Sequence, residues 1–411
     1  MEALTTIYLI FVFIAIYMLS FFILVLFKNR GRLFWYPKPK KQYTLSFLVP
    51  AYNEENTIQD TILSLLNLDY PKERLEIIAI NDGSTDNTAN IIKKMAVQYP
   101  NLKLLDKPNT GKADSLNCAI EIAKGELIAI TDSDSFPEPD ALNKIVGFFN
   151  DEKVAAVTSA VFLRNKEKFF EKVQAIEYFV LAWTRKLLDF VDSVYVTNGP
   201  LSVYRAEALR KIGGFDPKNI TEDIEVTWHL LSEGYKTRMS LGAHVYTVAP
   251  NKLKSWWRQR VRWGVGGIQT ISKYKKYFFS RGVFGIFIIP YVSVSIILSI
   301  FTFFLTVYIL SRSFLLTFLS ATYSIHAQTI LFSMQEVNLT PPVMLFFIVI
   351  LFVLGLVYTL YILTFFKTDQ LGTGGIRKIL NSLFYLLIYL TIYPVVWIPS
   401  IYNSIIGRYK W

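Results

Sequence analysis

Two aspartates, Asp132 and Asp134, stand one residue apart where the apolar run Leu127-Ile128-Ala129-Ile130-Thr131 ends. A short apolar run closed by polar residues reads as a buried strand. Continued in extended form, that strand turns both carboxylates to one side. Paired carboxylates repel each other unless a cation lies between them. Outside the carboxyl end of a strand in an open α/β sheet, such a pair suits Mg²⁺ or Mn²⁺ holding a diphosphate. By itself the pair equally reads as a loop start, both aspartates capping the turn ahead of Pro137 and Pro139.

Other stretches carry similar chemistry. Pro50-Ala51-Tyr52-Asn53-Glu54 and Asn81-Asp82-Gly83-Ser84 are polar clusters at the ends of apolar runs. Acidic groups at several strand ends make a nucleotide cleft, although each alone also reads as a helix cap. Gly111-Lys112 opens a helical pattern, where a lysine is electrostatically misplaced unless an anion is near. A solvated surface lysine is the other reading. Thr197-Asn198-Gly199-Pro200 is a turn whose glycine permits close backbone approach. Ile220, Ile224 and Trp228 fall at helical spacing behind Thr221-Glu222-Asp223. The acids there complement a helix dipole after a Thr221 cap, or one of them is a general base facing a cleft. Gln259, Arg262 and Trp263 share one helical face. An indole offers a platform for a sugar ring and an arginine a clamp for phosphate. Lipid anchoring alone is the alternative.

The elements that must position these groups follow from periodicity. Strands are expected at Leu45–Val49, Glu76–Ile80, Lys103–Leu105, Glu126–Ile130 and Val154–Ser159, with helices near Glu55–Leu68, Thr88–Gln98 and Lys112–Lys124. Repeated βαβ units imply an α/β fold with a doubly wound, mostly parallel sheet. Residues 161–250 are less regular. Lys252 to Arg281 mixes tryptophans with lysines and arginines, the composition of a helix lying in the membrane interface.

The chain has 411 residues, 52% of them hydrophobic and 16% aromatic, and a formal charge of +11. Its mean hydropathy is +0.34. That is too apolar for an ordinary soluble protein and implies a soluble domain joined to membrane segments. Thr5 to Phe27 is uncharged and long enough to span a bilayer, and it lacks the basic start and small-residue cleavage site of a secretory leader. Lys28, Arg30, Arg32, Lys38, Lys40 and Lys41 follow, which puts the domain behind them in the cytoplasm of a plasma-membrane protein. Further spans are expected at Val283–Leu310, Val343–Phe366 and Ile379–Ile401, with Phe314–Met334 as a fifth whose charge pattern leaves the count open. The organisation is then a membrane helix in 1–30, a cytoplasmic domain in 31–250, interface helices in 251–282 and a membrane region in 283–411. One cysteine, Cys118, excludes an internal disulfide framework, and with three histidines no zinc site is expected. No nucleic-acid module is present.

Four of these signals occur in order: Asn81-Asp82-Gly83, Asp132-x-Asp134, Thr221-Glu222-Asp223 and Gln259-x-x-Arg262-Trp263. The ordered set resembles the membrane-embedded family 2 glycosyltransferases that make polysaccharides, such as cellulose, hyaluronan and poly-N-acetylglucosamine synthases. The Thr-Glu-Asp-Ile run and Gln259-Arg260-Val261-Arg262-Trp263-Gly264 are most similar to the last type. The resemblance covers residues 45–270 and implies a GT-A domain that transfers sugar from a UDP-sugar with inversion. It implies that Pro50, Tyr52, Glu54, Asp82, Lys112 and Asp132 bind the nucleotide, and that Asp134, with Asp132, holds Mg²⁺ or Mn²⁺. Asp223 would be the base with Glu222 beside it. Gln259, Arg262 and Trp263 would bind the diphosphate and the acceptor, with Asn198 and Gly199 lining the acceptor pocket. The acceptor is a growing glycan extruded through the chain's own helices, or alternatively a membrane lipid that receives one sugar. Membrane lipids are expected contacts, and the pattern leaves room for an accessory membrane subunit.

Overall fold

The computed structural model describes residues 2–326, 343–365, 376–389 and 392–407. It opens with a long apolar helix, α1 (Glu2–Asn29). Four parallel strands follow: β1 (Leu45–Ala51), β2 (Leu75–Asp82), β3 (Leu102–Lys107) and β4 (Leu127–Ile130). They are linked by α2 (Ile58–Leu66), α3 (Thr88–Gln98) and α4 (Lys112–Ile122). Side-chain alternation divides the core between the two faces of this sheet. Phe47, Val49, Ile77, Ala79, Leu127 and Ala129 pack on the face that takes Ile58, Ile62 and Leu65 of α2 and Ile92 of α3. Leu48, Ile78, Ile80, Ile128 and Ile130 pack on the face that takes Leu116, Ala119 and Ile120 of α4.

The sheet is mixed, with four parallel and three antiparallel strand pairings. Its order is β3-β2-β1-β4-β7-β6-β8-β5, where β5 is Phe136–Pro137, β6 Val154–Leu163, β7 Ser202–Arg205 and β8 Lys236–Thr247. Strand β6 does not extend the parallel run beside β4. Strand β7 lies between them, antiparallel to both, while β8 is parallel to β6 and antiparallel to β5. Four residues with two hydroxyl side chains carry little alternation, so Ser202–Arg205 is invisible to a periodicity reading.

The remaining α-helices in the chain's first 274 residues are α5 (Phe169–Asp189), α6 (Ala206–Lys211), α7 (Glu222–Ser232) and α8 (Leu253–Tyr274). Behind them come α9 (Ile289–His326), α10 (Val343–Ile362), α11 (Ile376–Phe384) and α12 (Trp397–Ile406). Among the described residues two helices are long and apolar enough to cross a membrane, Thr6–Arg32 and Phe284–Tyr323. The expected span at Phe314–Met334 is not a separate helix within the described residues. Its part up to His326 continues α9, because no proline or glycine interrupts the chain after Pro290; residues 327–334 lie outside the described set. In the expected span at Ile379–Ile401 the described residues are helical but not uniformly α, and residues 390–391 lie outside the described set. A π-helical turn at Tyr385–Tyr389 and a 3₁₀ turn at Tyr393–Val396, with Pro394 in its first turn, separate α11 from α12.

Helix α8 sits between the start of α7 and the last helix, and small residues let it approach both. A Cβ on Gly264 would lie 2.9 Å from the Ser400 Cβ on α12. A Cβ on Gly266 would lie 2.5 and 2.6 Å from Cγ2 and Cβ of Thr221, directly before α7. Asn219 ties the same turn down. Its Oδ1 accepts from the Thr221 N–H at 3.0 Å and its Nδ2 donates to Thr270 of α8 at 3.0 Å. The Gln269 Oε1 accepts from the Ile220 N–H at 3.1 Å.

These contacts give a paired prediction. Gly266→Ala should destabilise the chain by about 1–3 kcal/mol, because buried Thr221 cannot move aside. Gly267→Ala, which meets nothing within 4 Å, should be neutral or stabilise by up to about 1 kcal/mol through helix propensity. Thermal unfolding in lipid nanodiscs checks both signs. Equal effects from the two substitutions would remove the close α7–α8 approach from the account.

Candidate active site

The carboxyl ends of β1 and β4, the start of α4 and the start of α7 surround one cavity of ≈ 660 Å³. Of the site residues expected from the sequence, Pro50, Glu54, Lys112, Asp132, Asp134, Asn198, Gly199, Glu222, Asp223, Gln259, Arg262 and Trp263 line it. Tyr52 and Asp82 do not. Tyr52 is exposed, and the Asp82 carboxylate is engaged by the 107–111 loop.

Strand β4 stops at Ile130, so strand alternation is not what brings Asp132 and Asp134 to the cavity. The chain turns instead, the Ser135 N–H donating to the Asp132 carbonyl at 3.1 Å. Asp132 meets Lys112 at 2.7 Å, and the same ammonium meets Glu222 at 2.8 Å. Burial works against a charge on Lys112, but the two carboxylates hold its ammonium well above the ordinary value. The anion at the start of α4 is therefore a pair of protein carboxylates. Gly111, at φ +94°, makes that start possible. Asp82 fixes it by accepting from the N–H groups of Thr110 and Gly111 at 3.0 Å each and from Lys107 at 3.0 Å. Those bonds hold the Asp82 carboxyl below its usual range despite its burial.

Gly199 crosses close to Asp132, and a Cβ there would lie 2.7 Å from its Oδ2. Burial first, then the charges of Asp132 and Glu54, push the Asp134 carboxyl up to about 6. Its Oδ1 accepts from Ser135 Oγ at 3.1 Å and Thr247 Oγ1 at 3.3 Å. Such a crowd of hard oxygen donors fits a divalent cation. Among the described residues no three acidic, histidine or cysteine groups converge into a ready cage. A cation here would draw its other ligands from phosphate and water, as Mg²⁺ does in nucleotide enzymes.

Asp223 lies one residue into α7. Burial first, and Glu222 second, push its carboxyl up to about 6 against the pull of Lys112. The helix is not capped by the Thr221 side chain, whose hydroxyl goes to Asn219 Oδ1 at 3.3 Å. Buried Thr227 accepts this helix into the core, its Oγ1 donating to the Asp223 carbonyl at 2.6 Å and its side chain meeting Thr197. Further along, buried Glu225 accepts from Lys273 at 2.6 Å and Tyr274 at 2.7 Å, both on the last turn of α8.

On α8, Gln259, Arg262 and Trp263 all face the cavity. Arg260 between them takes another role. Its guanidinium pairs with buried Glu177 of α5 and stacks 4.1 Å from the Trp263 ring centroid. Tyr389 donates to the same Glu177 at 2.6 Å and accepts from the Trp256 indole N–H at 2.6 Å. The sequence reading missed Glu177, and with it Tyr178, Arg185 and Tyr195 on the cavity wall. Val173, Ile176, Phe179, Trp183 and Leu187, all buried in α5, stand at helical spacing and were the available signal.

The family model described as glycosyltransferase like family 2 matches residues 42–266, more than half of the chain. Poly-beta-1,6-N-acetyl-D-glucosamine synthases of Staphylococcus epidermidis and of Staphylococcus aureus (strain MSSA476) are 35% identical to it over 232 and 231 residues. Each match covers 56% of this chain and 56% of the relative, so the chain spans about half the length of the curated relatives it matches. Among solved structures, the mannosyltransferase PcManGT from Pyrobaculum calidifontis, in complex with GDP-Man and Mn²⁺, shares the fold. Its TM-score is 0.56 at 17% identity, over 97% of this chain and 99% of that one. The sheet, the cavity at its strand ends and the extent of the family match agree: this chain belongs to family 2 of the glycosyltransferases.

Proposed function

We propose that this glycosyltransferase transfers N-acetylglucosamine from UDP-N-acetylglucosamine to the growing end of a β-linked polymer, with inversion, and passes the polymer along its own membrane helices. The observation that carries this reading is the extent of the cavity. From Asp134 and Asp223 it continues past Trp263 to Tyr291, Ser295 and Ser299 of α9 and Trp397 of α12. Aromatic rings alternating with hydroxyls are the lining a sugar chain needs. The names of the Staphylococcus relatives supply the sugar and the β-1,6 linkage for this proposal. The basic flank after α1 favours a catalytic domain on the cytoplasmic side of the plasma membrane.

Inverting transfer needs a base for the acceptor hydroxyl and a stabilised leaving group. Asp223 is the base in this reading: at neutral pH it is ionised, and a carboxyl near 6 is matched to the task. Asp134, with Asp132 beside it, would hold Mg²⁺ or Mn²⁺, which neutralises the departing UDP. Lys112 aligns Asp132 and Glu222, and Gln259 and Arg262 face the diphosphate. Trp263, backed by Arg260, is the platform for the acceptor sugar.

Asp223→Asn should lower transfer by about 10²–10⁴-fold while UDP binding survives. In the wild type, kcat/KM should rise with pH up to about 6 and level off above it, because the protonated carboxyl cannot accept a proton. A flat profile through that range, or lost UDP affinity in Asp223→Asn, would make Asp223 structural. For Asp134→Asn, calorimetric titration should show UDP binding that no longer responds to Mn²⁺. An undiminished Mn²⁺ effect would move the cation elsewhere.

A further inference from the structure

Arg185 projects from α5 into the cavity wall, outside every sequence motif described above. Its guanidinium donates to Asn198 Oδ1 at 2.9 Å and forms no ion pair among the described residues. Tyr195 and Asp223 both act on it electrostatically, and among the described residues no carboxylate pairs with it. A guanidinium has five N–H donors in a fixed fork, so most of these donors have no acceptor among the described residues. Burial pulls its proton affinity below the ordinary arginine value.

Asn198 is equally underused. Its Oδ1 accepts from Thr158 Oγ1 at 2.7 Å as well as from Arg185, which fixes the orientation of the amide. Its Nδ2, in a residue only 7% exposed, has no partner among the described residues. A buried donor without an acceptor is costly and calls for a ligand oxygen. Tyr178 and Tyr195 line the same wall, and burial keeps both phenols protonated, Tyr178 up to about 12. The wall therefore presents donors to whatever faces Asp223.

The charge of the cavity selects among oxygens. Glu54, Asp132, Asp134, Glu222 and Asp223 line it, and Arg260 is already neutralised by Glu177. A second phosphate, beyond that of the nucleotide, would add anionic charge to a site already rich in carboxylates. Neutral hydroxyl and carbonyl oxygens satisfy the same donors without that penalty, while an ammonium nitrogen has no lone pair with which to accept from Arg185 or the Asn198 amide.

We propose that Arg185, with the Asn198 amide N–H, recognises the acetamido carbonyl of the acceptor sugar and holds that sugar's hydroxyl toward Asp223. The inference rests on the polymer reading above, in which the acceptor is an N-acetylated glycan. It makes Arg185 a specificity residue for the acceptor and leaves the donor to the other side of the cavity.

The test uses the full chain in lipid nanodiscs with Mn²⁺, UDP-N-acetylglucosamine and two soluble primers. One is a β-1,6-linked N-acetylglucosamine oligosaccharide, the other its de-N-acetylated counterpart. The wild type should show a primer KM about 10–100-fold lower for the acetylated form, the range of a hydrogen bond to a charged group. Arg185→Gln should raise that KM by a similar factor, leaving donor KM and primer-independent UDP release within about twofold. Arg185→Lys should recover part of the loss. An unchanged primer KM in Arg185→Gln, or a rise in donor KM instead, overturns the proposal. Should Arg185→Gln not fold, the wild type decides alone, and equal KM values for the two primers overturn it. Failure of the polymer reading looks different: the wild type would release UDP yet elongate neither primer, which removes both proposals.

Discussion

One ammonium group joins the two halves of this enzyme's site. Lys112 meets Asp132, from the loop after β4, and Glu222, from the first turn of α7, at 2.7 and 2.8 Å. Without it, a cavity lined by five carboxylates would place two of them at close quarters with nothing between. Lys112 and Asp132 are half-buried and Glu222 is buried, so removing the ammonium would leave two carboxylates uncompensated and the arrangement is sensitive to this single residue. Its position is itself dictated from the sheet. Asp82, at the end of β2, binds the backbone of Thr110 and Gly111 and thereby fixes where α4 begins. The order of dependence runs from a buried strand, to an aspartate at its end, to a helix start, to the lysine that aligns the reacting groups.

Helix α8 extends that order toward the C-terminal helices. Gly266 brings it against the turn before α7, and Gly264 against α12. On its inner side Arg260 pairs with Glu177, which also accepts from Tyr389 in the C-terminal region. A displacement of the last helices is thus felt by Trp263 and by the start of α7 through packed groups with few alternative arrangements. This explains why a run of small residues follows Gln259-x-x-Arg262-Trp263: the motif's side chains work only if the helix that carries them is close to both neighbours.

Much of this was legible in the sequence, for local reasons. The apolar runs at Leu45–Val49, Glu76–Ile80 and Glu126–Ile130, separated by helical patterns, marked the βαβ units, and the polar residues after the first and third of them line the cavity. Spacing alone put Gln259, Arg262 and Trp263 on one face, and all three line the cavity. What escaped depends on contacts between distant parts of the chain. Nothing near Lys112 announces Glu222, 110 positions on, as its partner. The antiparallel insertion of β7 beside β4 follows from tertiary pairing, and a four-residue strand has no period to read. Asp132 and Asp134 were brought together by strand alternation in the sequence reading and by a turn in the structure, because β4 ends two residues earlier. Arg185 and Glu177 were hidden because a charged residue within an apolar helix has no sequence neighbour to explain it.

The central claim is that one continuous cavity serves both sugar transfer and the passage of a polymer. The direct measurement is to incubate the protein in lipid nanodiscs with Mn²⁺ and labelled UDP-N-acetylglucosamine, and to size the product before and after digestion with a glycosidase specific for β-1,6-linked N-acetylglucosamine. A high-molecular-weight ladder that the glycosidase removes is the result this account predicts. A single labelled product that partitions with the lipid, or no transfer from this donor, would contradict it.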